Sequence, residues 1–341
     1  MNNKERFGYE DAAQASDFIA ELVDEAGYDP SQIRDGLILG SGLGNFPETH
    51  MESDALRIGF DDIYRFVLGI NEPPDSIPGH ARKLIIGALK DDPNGGLVIA
   101  QSGREHPYEG IPTKRSVFWI RVMQLLGVKT LIGSTATGIL TPKTLRPPAL
   151  MVVHSDKDLV NDNPLIGKNE EEFGPRFPHK SDLYPQKTRN IIKSAIRSIG
   201  DEDIPEGAYV RIMGPSYESP EDTYGLEAIV RDIWDRGEMQ KGESRFNGEP
   251  VGVVGMSTVY EQITAQHATQ SQKHPAFRDG RAVFAVATDY AGSVCEEGFS
   301  GNVSHEEVKE MAAKVEDRLG KIIKETMLQI RLWVSETQKG K

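Results

Sequence analysis

Arg104 and His106 stand two residues apart in the stretch SGREHPYEG, directly after a short apolar run. Side chains at that spacing point to the same side of an extended chain. Arginine offers a planar fork that matches phosphate oxygens, and histidine can donate a further hydrogen bond. Tyr108 and Glu109 follow at once. Taken alone, the stretch is consistent with a phosphate-binding loop and, more commonly for such sequences, with a solvated polar loop.

A glycine-rich turn follows another apolar run, in LILGSGLGNF. Glycines alternate at positions 40, 42 and 44, but Asn45 stands where the dinucleotide-binding motif G-x-G-x-x-G needs its third glycine, and no P-loop lysine follows. What remains is a turn with backbone N–H groups and the hydroxyl of Ser41, which suits a single small anion. A plain turn between strand and loop is the alternative.

Three further stretches place polar or aromatic side chains just after an apolar run. They are IMGPSYESPED with Tyr217 and Glu218, VVGMSTV with Met256 and Ser257, and AVATDYAG with Thr288 and Asp289. An aromatic ring beside a carboxylate suits a purine, because the ring offers a face for stacking and the carboxylate accepts from ring N–H groups. Each stretch also has an ordinary interpretation, as a surface pair or a core methionine.

Two more stretches carry weaker signals. GSTATGIL, residues 133–140, ends a run with small residues whose backbone N–H groups could approach an anion. His80 in PGHARK follows two helix breakers and precedes a strand, where a surface histidine is the more common outcome.

Short apolar runs alternate with helical patterns along the chain, which indicates an α/β fold around one central sheet. Strands are predicted at residues 36–40, 83–89, 96–101, 128–133, 149–154, 209–213, 251–256 and 281–288, and helices at 10–26, 115–126, 186–199, 220–236, 258–270 and 304–335. The last helix opens with Ser304 and Glu307 at capping-box spacing. No repeat or linker divides the chain, so a single domain over residues 1–341 is expected, with irregular tracts at 155–184 and 237–250.

Most of the chemistry-bearing clusters come directly after a predicted strand. In open α/β sheets ligands bind at the carboxyl edge, so these side chains are expected to meet there. Together they supply anion binders, apolar and aromatic walls, and carboxylates for a polar ring. No metal triad, serine–histidine–acid order or redox pair is visible in the sequence.

Composition limits the partners of the chain. A net charge of −13 argues against nucleic acid and anionic membranes, whose phosphates are bound by Lys and Arg. A single cysteine, Cys295, excludes an internal disulfide framework and a multi-cysteine zinc site. The polar N-terminus shows no signal peptide, and no apolar run approaches the roughly 18 residues of a membrane span. A cytoplasmic protein is therefore expected.

The chain closely resembles the trimeric class of purine nucleoside phosphorylases, in order from about Gly36 to Val308. The motifs that carry the resemblance are GSGLG, PGHA, GREHPYEG, NPLIGKNEEEFGPRFP, GPSYESPED, VGMSTV and NVSHEEV. The resemblance implies a mixed sheet flanked by helices and a homotrimer. It also implies purine salvage chemistry: nucleoside and phosphate give base and (2-deoxy)ribose 1-phosphate, with phosphate as co-substrate and no cofactor or metal.

The resemblance also implies roles for individual residues. Phosphate would be held by Ser41, His80, Arg104, His106, the backbone of Ala136, and Ser257. The nucleoside would be held by Tyr108, Met256, His305, Tyr217, Glu218 and Asp289, with His305 on the 5′-hydroxyl and the last three on the base. Catalysis would fall to His106, Glu218 and Asp289. Phe173 would be lent to the sugar site of the neighbouring subunit.

Three features depart from that family's pattern. Thr135 stands where an asparagine is usual, and residues 237–250 look like an insertion. Asp289 replaces the asparagine of enzymes for 6-oxopurines and resembles relatives that cleave methylthioadenosine or methylthioinosine. Glu218 and His305 favour inosine and guanosine instead, so the methylthionucleoside activity is the alternative. A non-catalytic purine-binding protein has no use for Ser41, Arg104 and His106.

Overall fold

The structure is a computed structural model. It describes residues 6–40, 43–70, 81–92, 95–236, 248–295, 298–299 and 304–339. Its strands are β1 (Ile33–Leu39), β2 (Leu56–Gly59), β3 (Lys83–Ala88), β4 (Leu97–Ser102), β5 (Thr130–Ile139), β6 (Ala149–Asp158), β7 (Glu206–Arg211), β8 (Gly252–Gly255), β9 (Gly280–Tyr290), β10 (Val294–Cys295) and β11 (Gly298–Phe299).

The first nine strands form one mixed sheet in the order β2-β3-β4-β1-β5-β8-β7-β6-β9, and β9 also pairs with β5. The pairs β5–β8, β8–β7, β7–β6, β6–β9 and β9–β5 therefore close a ring of five strands. The other four strands extend from this ring through the parallel pair β1–β5. The predicted α/β fold with a central mixed sheet is confirmed, and the ring closure is an addition to it.

Helices cover both sides of the sheet. They are α1 (Tyr9–Glu25), α2 (Phe46–His50), α3 (Phe60–Asp62), α4 (Thr113–Ser116), α5 (Phe118–Leu125), α6 (Gln186–Ser198), α7 (Pro220–Asp235), α8 (Val259–Thr269), α9 (His305–Ala313) and α10 (Glu316–Lys339), with a π-helical turn at Ile63–Val67. One core cluster lies between the sheet and the helices α1, α5 and α8, and another lies under α6 and α10.

The predicted helix 304–335 is two helices. Its apolar spacing is real, since Leu319, Ile322, Ile323 and Met327 of α10 are all fully buried. However, α9 packs on β9 whereas α10 packs on α6, so the chain changes direction at residues 314–315 to reach both surfaces. The capping box predicted at Ser304 is present, with the Glu307 N–H donating to its hydroxyl oxygen at 3.2 Å.

Two strands, β5 and β6, extend beyond the ends predicted from the sequence. Strand β6 runs to Asp158, so the first four residues of the tract predicted as irregular from 155 belong to the sheet. From residue 159 to 184 the structure has neither helix nor strand. Strand β5 likewise extends to Ile139, because its second half pairs with both β8 and β9. Most of the expected insertion, residues 237–247, lies outside the described residues.

Candidate active site

One cavity of about 440 Å³ opens at the carboxyl ends of β1, β4, β5, β8 and β9. Its lining includes every described residue that the sequence singled out except Phe173: Arg104, His106, Tyr108, Ala136, Tyr217, Glu218, Met256, Ser257, Asp289 and His305. Residues from strands far apart in the chain thus reach one cavity, as the strand-end argument predicts.

Three predicted site residues need separate mention. Ser41 and His80 lie outside the described residues, although their neighbours Gly40 and Ala81 line the cavity. Phe173, expected at the sugar site of a neighbouring subunit, is 3% exposed, and its ring packs against Tyr9 with the Arg121 guanidinium 4.5 Å from its centroid. Within the single chain the ring thus belongs to the core.

Arg104 is held by a buried carboxylate that the sequence analysis missed. Its Nε and Nη2 donate to the two oxygens of Glu261 at 2.7 and 3.1 Å, and both residues are almost fully buried. Glu261 lies in the first turn of α8, directly beyond the cavity residue Ser257. A charge this deeply buried needs a partner, so Glu261 both keeps the guanidinium ionised and sets its plane.

Gly40 allows the turn after β1 to approach this arginine. A Cβ at residue 40 would lie 2.2 Å from the Ser134 carbonyl oxygen and 2.6 Å from Arg104 Nη1. The Gly40 N–H also donates to Ser134 Oγ at 3.0 Å. A side chain at this position would push the turn away from the cavity.

His106 is oriented by its neighbours in sequence. Glu109 Oε1 accepts the His106 backbone N–H at 2.7 Å and lies 3.1 Å from ring Nδ1. The imidazole also stacks on Tyr108, with 4.7 Å between centroids and 13° between planes. These contacts present His106 and Tyr108 to the cavity as one unit.

Hydroxyl groups form a small network at the strand ends. Thr135 Oγ1 and Ser257 Oγ are 3.0 Å apart, and the Ser257 backbone N–H donates to the Tyr209 hydroxyl at 3.2 Å. Thr135 and Ser257 are 3% and 5% exposed. The threonine that departs from the family pattern thus holds the serine expected to bind phosphate.

Two carboxylates, Glu218 and Asp289, line the cavity near Tyr217. Burial, together with the negative charge of nearby Asp289, raises the pKa of Glu218 to about 7. Burial likewise raises the pKa of Asp289 to about 6, against the hydrogen bond that Asp289 Oδ1 accepts from Thr288 at 2.8 Å. Carboxylic acids that titrate near neutrality can donate or accept a proton, which is typical of functional sites.

The N-terminal part of α9 closes one side of the cavity. His305, Val308 and Lys309 line it, and His305 is exposed. Asn45 ties the glycine-rich turn to α10, since its N–H and side-chain amide donate to Glu316 at 2.8 and 3.0 Å. Asn45, which breaks the dinucleotide pattern, therefore anchors the turn.

Several lining residues were missed from the sequence: Lys83, Lys309 and Glu316. Lys83 begins a predicted strand and Lys309 lies in a predicted helix, where a lysine usually faces solvent. Nothing in the sequence marked them.

Within the part of the chain that the structure describes, no three His, Cys, Asp or Glu side chains are grouped so that they could hold a metal ion. Nor does any described helix combine the length and apolarity needed to cross a bilayer.

Comparison with known proteins matches the sequence and the fold to one family. Residues 59–327 match the family described as the phosphorylase superfamily. The chain is 31% identical over 302 residues to purine nucleoside phosphorylase 1 of Bacillus subtilis (strain 168). The aligned region covers 88% of this chain and 93% of that relative.

Two solved schistosome structures are similar to this chain in fold. Isoform 2 of Schistosoma mansoni purine nucleoside phosphorylase, in complex with cytosine and ribose-1-phosphate, has a TM-score of 0.74 at 27% identity and covers 94% of this chain and 97% of its own. A schistosoma purine nucleoside phosphorylase in complex with hypoxanthine has a TM-score of 0.72 at 26% identity, covering 94% and 98%. The chain therefore belongs to the phosphorylase superfamily, among its purine nucleoside phosphorylases.

The raised pKa of Glu218 predicts a pH-dependent cost to stability. An acid whose pKa is higher in the folded state destabilises that state as pH rises from the unfolded value, 4.5, to the folded value, about 7. Glu218→Gln should therefore be more stable than the wild type at pH 8, by at most about 3 kcal/mol, and the difference should shrink towards pH 5.

Denaturant unfolding at pH 5, 6, 7 and 8 measures this difference. Glu221→Gln removes one negative charge from an exposed position three residues further on, in the first turn of α7, and serves as the control. A Glu218→Gln variant that is less stable than the wild type at pH 8 would show that the carboxylate stabilises the fold.

Proposed function

We propose that the chain catalyses the reversible phosphorolysis of purine nucleosides and prefers 6-oxopurine bases, as in inosine and guanosine. The observation that carries the proposal is that two sets of side chains line one cavity. The arginine, histidine and hydroxyl groups suit phosphate, and Tyr217, Glu218 and Asp289 suit a purine. The relatives named purine nucleoside phosphorylase and the hypoxanthine complex support this assignment.

The chemistry needs positioning more than a covalent intermediate. Breaking the glycosidic bond builds positive charge on the ribose and negative charge on the departing base. Phosphate held by Arg104, His106 and Ser257 stabilises the first charge and attacks C1′, while a proton donor near purine N7 stabilises the second. Tyr108 and Met256 would flank the ribose between the phosphate and the base, with His305 on the 5′-hydroxyl. The scheme needs no cofactor.

The first test is a phosphorolysis panel with inosine, guanosine, adenosine and methylthioinosine, each with and without phosphate. Arg104→Ala should raise the KM for phosphate and lower kcat, together by roughly 10- to 150-fold, because a charge-assisted hydrogen bond contributes about 1.5–3 kcal/mol. The double variant Arg104→Ala/Glu261→Gln controls for the buried charge that the single variant leaves behind. Unchanged phosphate kinetics in both variants would contradict the assignment of Arg104.

Asp289 decides which base is preferred. An ionised Glu218 accepts the N1–H of a 6-oxopurine but repels the bare N1 of adenine. On the other edge, an ionised Asp289 would face the acceptors O6 and N7, leaving buried groups unpaired at a cost of about 1–3 kcal/mol each. A protonated Asp289 can instead donate to N7. Burial raises the pKa of Asp289 to about 6, and a bound base would bury it further. The pKa of Glu218 is about 7 without a base, and the N1–H of a bound 6-oxopurine would lower it by donating to the ionised carboxylate.

The protonated form of Asp289 predicts a pH-dependent preference. The ratio of kcat/KM for inosine to that for adenosine should fall as pH rises above about 6, because ionised Asp289 accepts from a 6-amino group. Asp289→Asn should retain inosine cleavage, lose most adenosine cleavage and remove this pH dependence. Initial rates from pH 5.5 to 8.5 measure both. A wild type that is faster on adenosine or methylthioadenosine than on inosine would favour the methylthionucleoside alternative.

We further propose a homotrimer in which the segment 159–184 meets a neighbouring subunit. Phe173 is buried within its own chain, but Phe177 and Ile166 of the same segment are 88% and 62% exposed. Exposed apolar side chains in one loop are typical of a protein interface.

Phe177→Ser should therefore weaken the assembly and raise the KM for nucleoside, as seen by light scattering and kinetics. Leu332→Ser, at a 49% exposed position of α10, is the matched control and should change neither. A wild-type chain that is monomeric and fully active in solution would refute the trimer.

A further inference from the structure

Glu105 separates the two residues proposed to bind phosphate, yet it points away from them. Arg104 and His106 line the cavity, whereas Glu105 does not, and its side chain is 1% exposed. This alternation is that of an extended chain, which begins where Gly103 turns the backbone at a φ of +100°. The segment therefore has a cavity face and a buried face, and Glu105 occupies the buried one.

The carboxylate of Glu105 is surrounded by donors. Oε1 accepts from Arg82 Nη1 at 2.9 Å and from Arg115 Nη2 at 2.7 Å. Oε2 accepts from the Tyr64 hydroxyl at 2.6 Å and from Arg115 Nε at 3.2 Å. We call Glu105, Arg82, Arg115 and Tyr64 the Glu105 cluster.

The members of the Glu105 cluster come from separate parts of the chain. Tyr64 lies in the π-helical turn, Arg82 directly precedes β3, and Arg115 lies in α4. The Arg115 guanidinium also lies 4.6 Å from the centroid of the Tyr64 ring. All four residues are at least nine-tenths buried, so the cluster binds these segments to the chain between Arg104 and His106.

Arg82 combines this contact with an unusual backbone conformation. Its φ is +46°, a left-handed value that costs free energy for a residue with a side chain. Its guanidinium bridges Glu105 and Asp61, the second at 2.8 Å. Its neighbour Ala81 lines the cavity, so the same contact reaches a second part of the cavity wall.

We propose that Glu105 is a positioning residue for phosphate, acting through the backbone of Arg104 and His106. The proposal rests on the proposed function, because it needs phosphate at these two side chains. The physical reason is geometric: a shift of about 1 Å in a residue that holds a reactant can cost on the order of 100-fold in rate. Glu105 touches no reactant itself.

The test measures binding of inorganic phosphate by calorimetry, which does not depend on turnover. Glu105→Gln keeps the shape of the side chain but leaves Arg82 and Arg115 without their shared charge. It should weaken phosphate binding at least ten-fold while changing the Kd for hypoxanthine less than two-fold. Tyr64→Phe removes one hydrogen bond from the same carboxylate and should weaken phosphate binding two- to five-fold, even if Glu105→Gln folds poorly.

Asp35→Asn is the matched control. Asp35 is equally buried and is held by Arg331 at 2.6 Å, but it lies at the opposite end of β1 from the cavity. This variant should lower the melting temperature without changing phosphate affinity. If Glu105→Gln and Tyr64→Phe both bind phosphate as tightly as the wild type does, Glu105 is not a positioning residue. A wild type that binds phosphate but cleaves no nucleoside would instead refute the proposed function and leave the cluster's effect on phosphate measurable.

Discussion

A buried guanidinium must stay ionised and correctly turned before it can hold an anion, and in this chain that depends on Glu261. The two partners are 6% and 2% exposed, so their attraction acts in a medium of low polarity, where an unpaired charge would be very costly. Because Glu261 already offsets the charge of Arg104, this arginine contributes N–H donors aimed at an anion more than it contributes net positive charge.

This ion pair places demands on the rest of the fold. Arg104 follows β4, whereas Glu261 lies in α8, 157 residues later. The ring of β5, β8, β7, β6 and β9 sets where α8 begins, since α8 follows β8 directly. The same ring brings Thr135 against Ser257 and carries Asp289 at the end of β9. Closing the ring therefore brings both sets of side chains to the cavity at once.

The helix α8 carries an unusual number of buried polar side chains. Glu261, Gln262, Thr264, Gln266 and His267 are polar yet almost fully buried. The helix also buries apolar side chains in the core, but its polar side chains need specific partners, among them Arg104 for Glu261 and Arg121 for His267. Each partner must then be placed accurately, because a buried polar group without one is destabilising.

The sequence by itself determined the class of fold, the approximate position of most strands and helices, and the cluster of site residues at strand ends. These follow from local patterns: apolar runs, capping residues, and the alternation that puts Arg104 and His106 on one side. It also indicated the family, because short motifs occur in a specific order. None of these inferences needs a contact between distant residues.

Only the tertiary structure decided which partner each site residue has. It closed the five-stranded ring, buried Phe173 in its own chain while leaving Phe177 exposed, and paired Arg104 with Glu261 and Glu105 with two arginines. It also raised the pKa of Glu218 and of Asp289, in each case chiefly by burial. The physical reason is common to all of these: burial and pairing arise between residues far apart in the chain, and no local pattern records which face of a segment meets which neighbour.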